Sequence, residues 1–214
     1  MRRLHVFFIA FCFFSLRLSI LSNFFASLLA YDVYDLNLKR MERVVIVIPY
    51  RDRDEQGIKF VDHMIGFARE SENATSKAVK YHIVFSEQFD ETPFNRAWLF
   101  NIGFTYALES GIGEGDTCVA VQDVDSYPLV VVDYTDCRPP THLASEAESL
   151  GWGHMHDNFC GISFVMTLTK WKQINGMSNK YVGWGFEDNV IYLKMIKFHF
   201  FRISISVSNR HTIS

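Results

Sequence analysis

VVIVIPYRDR, residues 44–53, decides how the chain is read: an unbroken β-branched run, then a proline, then charges. A strand with one wet face alternates apolar and polar residues, whereas a run such as VVIVI is how a parallel strand buried on both faces looks. Pro49 is expected to end that strand and to leave Tyr50, Arg51 and Arg53 on the rim beyond it. Working outward, the stretch Gly57 to Arg69 places Ile58, Val61, Met64, Ile65 and Ala68 on one helical face. KYHIVF at 80–85 returns to strand character, Phe94 to Leu108 is again helical, and a turn rich in glycine (Gly111, Gly113, Gly115) leads into the strand TCVAVQ at 117–122. Strands alternating with helices over short connections imply right-handed crossovers, hence an α/β fold whose mostly parallel sheet is flanked by helices. Ligands of such sheets bind at the carboxyl ends of the strands, so 49–53 and 123–125 are expected on one rim. CGISFVM at 160–166 reads as another strand, and Phe186 to Lys197 as a short helix.

The amino end is of a different kind. After Arg2 and Arg3, residues 4–30 are apolar with one interrupting charge, Arg17. The run Leu4 to Leu16 has the length of a signal-peptide core, while the whole stretch exceeds the about 20 residues that span a bilayer. Residues 1–30 are read as an uncleaved signal-anchor, with a cleaved signal peptide as the alternative; Arg2 and Arg3 would keep the amino end cytosolic and send the rest into a lumen. Residues 31–43 carry charges of both signs and read as a short stem, 44–198 as one domain, and 199–214 as a divergent tail. In an oxidising lumen cysteines are expected to pair. Cys12 lies in the apolar segment, leaving Cys118, Cys137 and Cys160; a Cys118–Cys137 staple is preferred, against the alternative that all three are small core residues. Asn73-Ala-Thr75 is a glycosylation sequon in a polar stretch that suits a lumenal loop. A net charge of −3 offers no broad basic surface, so nucleic acid is not an expected partner.

Three strings carry the chemistry. Asp123-Val124-Asp125 follows an apolar strand, where paired hard oxygen ligands suit Mg²⁺ or Mn²⁺ bridging to a diphosphate, although a lone motif of this kind is commonly a solvated loop. Gly183-Trp184-Gly185-Phe186-Glu187-Asp188 folds two glycines around a tryptophan on which a sugar can stack, and then opens a helix with two carboxylates. Arg51, Arg53 and Arg96, the last in Phe94-Asn95-Arg96, would converge on the rim that holds the aspartates, which calls for an anionic ligand.

The strings VVIVIPYRDR, FNRAWLFNIGF, DVDSYP, INGMSNKY and GWGFED, in that order, resemble the β-1,4-galactosyltransferase family, including its branch that galactosylates xylose on proteoglycan linkers. The resemblance covers about residues 43–197 and implies a GT-A fold with a Rossmann-like sheet, UDP-galactose as donor, a glycan acceptor, Mn²⁺ as cofactor, and a type II Golgi membrane protein with a lumenal catalytic domain. It also implies the Cys118–Cys137 disulfide. Carried over by position, Pro49, Tyr50, Arg51 and Arg53 resemble the nucleotide loop, Phe94 and Arg96 a segment touching uridine and diphosphate, and Asp123 and Val124 residues against the donor. Asp125 would ligate Mn²⁺, Trp184 would touch donor and acceptor, and Gly185, Glu187 and Asn189 would lie on the acceptor side. Asp188 would be the general base, with Glu187 orienting.

The implied reaction is a single inverting displacement in which Asp188 takes the acceptor proton while Mn²⁺ and arginines stabilise the departing diphosphate. The chain departs from the pattern at three places. Asn189 stands where the family has an Asp; no segment after Lys197 matches the remaining metal ligands, leaving only His199 and His211 to stand in; and Asn158 replaces a bulky residue beside the donor sugar. The last would admit UDP-N-acetylgalactosamine, and the second keeps open a non-catalytic, sugar-nucleotide- or glycan-binding member. A hydrolase using Asp123 and Glu187 is the more distant rival.

Overall fold

The computed structural model of the 214-residue chain describes residues 28–33, 42–144, 160–183, 185–198 and 204–205. In chain order the elements are β1 (Leu28–Val33), β2 (Glu42–Tyr50), α1 (Asp54–Thr75), β3 (Val79–Glu87), α2 (Arg96–Glu109), β4 (Cys118–Gln122), β5 (Thr141–His142), β6 (Ser163–Thr167), α3 (Leu168–Gln173), α4 (Glu187–Lys197) and β7 (Ser204–Ile205). The strands form one sheet in the order β1-β3-β2-β4-β6-β5-β7.

The VVIVI run does what its composition requires. Val44 through Ile48 are all 0% exposed, with β3 and β4 paired in parallel on either side. Alternate residues serve opposite faces. Val45 and Val47 join Phe100, Phe104 and Ala107 of α2 in one core, while Val44, Ile46 and Ile48 join Phe60, Met64 and Phe67 of α1 in the other. Each fully buried side chain of this size contributes roughly 1.5–3 kcal/mol from apolar burial, so the five together dominate the centre of the sheet. At Gly103 a Cβ would come within 2.3 Å of Val47 Cγ1, so glycine is what lets α2 lie directly on β2.

Several expectations need correction. Pro49 does not end its strand: β2 runs on to Tyr50 and Pro49 sits opposite Ser86 of β3. The β4 ladder stops at Val47↔Val121, so at Pro49 the strand has one neighbour and tolerates a residue that cannot donate. On α1 the buried stripe is Gly57, Phe60, Met64, Phe67 and Ser71, whereas Ile58 is 64% exposed. The predicted face was rotated because α1 carries apolar residues on two stripes and the sheet accepts only one. The expected α/β fold holds, with the parallel centre β3-β2-β4 and a parallel β5-β7 pair; what the sequence did not show is that β1, β6 and β5 pair antiparallel with β3, β4 and β6 respectively.

Two strands lie outside the stretch expected to hold the domain. β1 straddles the division at residues 30 and 31, so the end of the apolar stretch and the start of the expected stem form an edge strand on β3. β7 falls in the stretch read as a divergent tail, yet pairs with β5. The sequon lies in the last turn of α1 rather than in a loop; Asn73 is exposed, and the Thr75 hydroxyl donates to the Ser71 carbonyl at 2.7 Å. Among the described residues no helix is long and apolar enough to cross a membrane; residues 1–27 lie outside them.

Candidate active site

The carboxyl ends of β2 and β4 and the amino ends of α2 and α4 meet at one rim, and Arg96 is the residue they share. It begins α2, whose N-cap Asn95 accepts a hydrogen bond from the Trp98 backbone N–H at 2.9 Å. Its guanidinium rides 4.9 Å above the Phe100 ring. Nε donates to Asp123 Oδ1 at 2.8 Å, and Nη1 donates to Asp188 Oδ1 at 2.9 Å and to Glu187 Oε1 at 3.3 Å. Nη2 lies 2.7 Å from Asp123 Oδ1 without hydrogen-bonding geometry, which leaves a buried guanidinium nitrogen with no hydrogen-bond partner.

Burial pushes the Asp123 carboxyl above the ordinary carboxylate range, with Arg96 opposing the shift. Asp188 is raised for the same reason, and the nearby Glu187 and Asp123 charges add to it against Arg96. For Arg96, burial disfavours the cation, but Asp123 and Asp188 outweigh it and hold the pKa above its usual value. Counting Asp125 and Arg53 at the edge, four carboxylates face two guanidiniums, a net of −2 from Asp123, Asp125, Glu187 and Asp188 against Arg53 and Arg96. A rim of this sign attracts a divalent cation.

Asp123 and Asp125 share the rim but take separate partners, because Val124 between them is buried in the core. Asp125 is the exposed one and pairs with Arg53 Nη1 at 2.5 Å. The turn is held by Gln122, a buried residue whose amide donates to the Ser126 carbonyl and whose Oε1 accepts from the Tyr134 hydroxyl at 3.1 Å. From behind, the Asp123 N–H donates to the Ile162 carbonyl at 3.0 Å. Cys118, opening β4, is bonded to Cys137 with Cα atoms 5.8 Å apart, bracketing the turn, and Cys160 is a free buried thiol pushed up to about 12 by burial, with Asp188 adding.

Arg51 does not converge with the other arginines. Its Nη1 donates to the carbonyls of Asp90 and Thr92 at 3.1 and 2.8 Å and its guanidinium lies 5.4 Å from the Phe94 ring centroid, so it clamps the loop before α2. Tyr50 is buried against Phe85 and its hydroxyl donates to Asp54 at the start of α1. Two organising residues escaped the sequence reading. Gln88 accepts from the Asn95 N–H at 2.9 Å and donates to Asp90, fixing the loop between them. Asn101 donates to the Met177 carbonyl and accepts from the Met177 N–H, at 2.9 and 3.0 Å, clasping INGMSN onto α2. For Asn101, a polar residue inside an apolar helix was the available signal; Gln88, just past the end of β3, offered none.

The glycine loop reaches the site through backbone contacts: the Gly183 N–H donates to the Phe94 carbonyl at 2.8 Å, and Gly183 and Gly185 adopt φ of 82° and 107°. Glu187 and Asp188 then open α4, with Glu187 buried and Asn189 exposed. Trp184, Asn158, His199 and His211 lie outside the described residues. Among the described residues no group of three or more His, Cys, Asp or Glu side chains could hold a metal ion by itself. The donor chemistry at Asp125 fits Mn²⁺ in the other common manner, in which one or two carboxylates share the ion with substrate phosphates.

Residues 34–138 match the N-terminal region of glycosyl transferase group 7, and residues 141–212 match the N-terminal domain of galactosyltransferase. The chain belongs to the β-1,4-galactosyltransferase family. β-1,4-galactosyltransferase 7 of Drosophila melanogaster is 33% identical over 158 residues, 72% of this chain and 45% of that protein. The xylosylprotein 4-β-galactosyltransferase of Caenorhabditis elegans is also 33% identical, over 72% of this chain and 50% of its own length. The chain thus spans about half the length of these curated relatives. A solved structure of a mutant Drosophila β-1,4-galactosyltransferase 7 in complex with manganese, UDP-Gal and xylobiose superposes with a TM-score of 0.60 at 29% identity, covering 77% of this chain and 64% of that one. The sheet and helices are thus those of a GT-A galactosyltransferase, and the family match runs into the stretch that was read as a divergent tail.

Proposed function

We propose that this chain moves galactose from UDP-galactose to a sugar acceptor, forming a β-1,4 bond with inversion, and that a xylose-ended acceptor is the substrate to test first. The observation that carries the reading is the Arg96 cluster, which draws the FNR, DVD and GWGFED segments into one site. Xylose is favoured by the neighbour's complex with xylobiose and by the xylosylprotein relative. Asp125 would hold Mn²⁺, which supplies charge neutralisation at the diphosphate. Arg53, exposed and paired with Asp125 at the edge of the site, is the cation best placed to reach phosphate oxygens, while Arg96 Nη2 is buried beside Asp123 with no hydrogen bond of its own. Asp188 accepts the acceptor's proton at its carboxylate; burial lifts its pKa toward that of a stronger base, and Arg96 opposes that shift and aims the carboxylate. Glu187 shares Arg96 Nη1 with Asp188 and helps to hold the guanidinium in place. Among the described residues Asp125 belongs to no group of three or more metal-ligating side chains, and one second reading is kept beside the first, a member that binds sugar nucleotide without turnover.

We also propose that the chain is a Golgi membrane protein with its folded part in the lumen, a reading supported by the disulfide and the exposed sequon. Residues 4–27 exceed the about 20 residues a span needs even after Leu28–Val33 is given to the sheet.

The deciding measurement pairs calorimetry of UDP binding at varied Mn²⁺ with galactose transfer to xylobiose. Asp125→Asn is expected to weaken UDP binding in a way that added Mn²⁺ partly restores. Asp188→Asn is expected to leave UDP binding nearly intact and to lower turnover by about 10² or more. Wild-type protein that binds UDP with Mn²⁺ yet transfers to no acceptor would establish the non-catalytic reading; equal loss of UDP binding in both variants would make Asp188 structural.

A further inference from the structure

Phe186 combines two features that a fold by itself does not favour. Its φ is 73°, a left-handed conformation that is rare for a bulky residue, and its side chain is 72% exposed, so no core contact compensates. Tyr181 lies beside it, ring centroids 6.4 Å apart and tilted by 31°, and Val182 is also exposed. Strain and exposed aromatic surface together, one residue before Glu187 and two before Asp188, are the signature of a place kept for a ligand.

We infer that Phe186 and Tyr181 form a stacking platform for a second sugar ring of the acceptor, the ring beyond the one that receives galactose. This rests on the transferase reading above. Asp188 turns inward to Arg96, so a hydroxyl held at its carboxylate leaves the outward Phe186 ring to the part of the acceptor farther from the new bond. An aromatic face suits the apolar C–H face of a pyranose, whose hydroxyl edge still needs polar partners. Exposed Asn189 follows Phe186 by three residues in the first turn of α4, and exposed Lys180 precedes Tyr181. An acyl chain would require continuous apolar surface, which these polar residues interrupt.

The test compares UDP-galactose transfer to xylobiose and to methyl β-xyloside, with Mn²⁺, by wild-type, Phe186→Ala and Phe186→Gly proteins, together with their thermal unfolding. Wild type is expected to prefer the disaccharide in kcat/KM by roughly threefold to tenfold, the range of one aromatic stacking contact. Both variants are expected to lose that preference, mainly through KM. Phe186→Gly is expected to keep or raise Tm, by about 2–4 °C, because glycine takes a positive φ freely. An unchanged acceptor ratio in Phe186→Ala overturns the inference, as does a lower Tm in Phe186→Gly, which would make the ring a packing element. Equal wild-type transfer to both acceptors sinks the platform alone, whereas transfer to neither sinks the transferase reading and the platform with it.

Discussion

Arg96 holds three carboxylates whose mutual repulsion would otherwise open the rim. Replacing it by methionine keeps the apolar stem over Phe100 but strands Asp123, Glu187 and Asp188 without a cation. Breaking a buried ionic cluster from one side costs about 3–5 kcal/mol, so Arg96→Met is expected to lose that much stability at pH 7. The pH dependence has a definite sign. A carboxylate whose folded pKa is raised above its unfolded value destabilises the fold above the folded pKa and costs nothing below the unfolded one, near 4. Burial already raises Asp123 and Asp188, and losing Arg96 removes the opposing effect. The Tm gap between Arg96→Met and wild type should therefore narrow as pH falls from 7 toward 4, and a gap that stays constant would show that the charges are not its cause. Asp123 and Asp188 were legible in the sequence as acidic motif residues and Arg96 as a cation on the Asp123 rim, but that one guanidinium joins both carboxylates was not. Arg96 lies 27 residues before one and 92 before the other, and only the crossing of α2 over the sheet brings them together.

At the scale of elements, glycine positions separate packing from conformation. Gly103 of α2 and Gly66 of α1 both lie inside helices, where a change to alanine gains about 0.5–1 kcal/mol from the backbone alone. Nothing stands within 4 Å of a Cβ at Gly66, so Gly66→Ala is expected to raise stability by that amount. At Gly103 the same Cβ meets Val47 at 2.3 Å, and overpacking is expected to cost about 1–3 kcal/mol. Denaturant unfolding of the two variants checks the pair; a stabilised Gly103→Ala would mean that α2 can lift from β2 without loss. The helices themselves could be read from period alone, since it reports that a segment has an apolar side. Which stripe of α1 is buried could not, because Ile58 and Phe60 are equally apolar and the choice belongs to the sheet beneath. The direction of β6 was hidden for the same reason: an apolar run records burial, not the neighbour that buries it.

For the whole molecule, the Cys118–Cys137 bond ties the start of β4 to the segment following the DVD turn. Closing a loop of 19 residues is worth about 3 kcal/mol in the chain-entropy account. Cys137→Ser should lower Tm by roughly 6–12 °C in calorimetry, scaled for a chain of this size, and wild type under reducing conditions should show the same shift. An unchanged Tm in both would assign no stabilising role to the bond. The sequence by itself determined the α/β class, the buried central strand, the order of the motifs and the family they resemble, because burial pattern, helical period and motif spacing are local properties of the chain. The tertiary structure alone decided that Leu28–Val33 and Ser204–Ile205 complete the sheet, that Arg51 clamps a loop while Arg53 and Arg96 meet carboxylates, and that Phe186 stands strained and exposed beside the site. Each of these depends on partners distant in sequence. A charge, a strand edge or an aromatic ring has no fixed role until the chain has folded enough to supply what it faces.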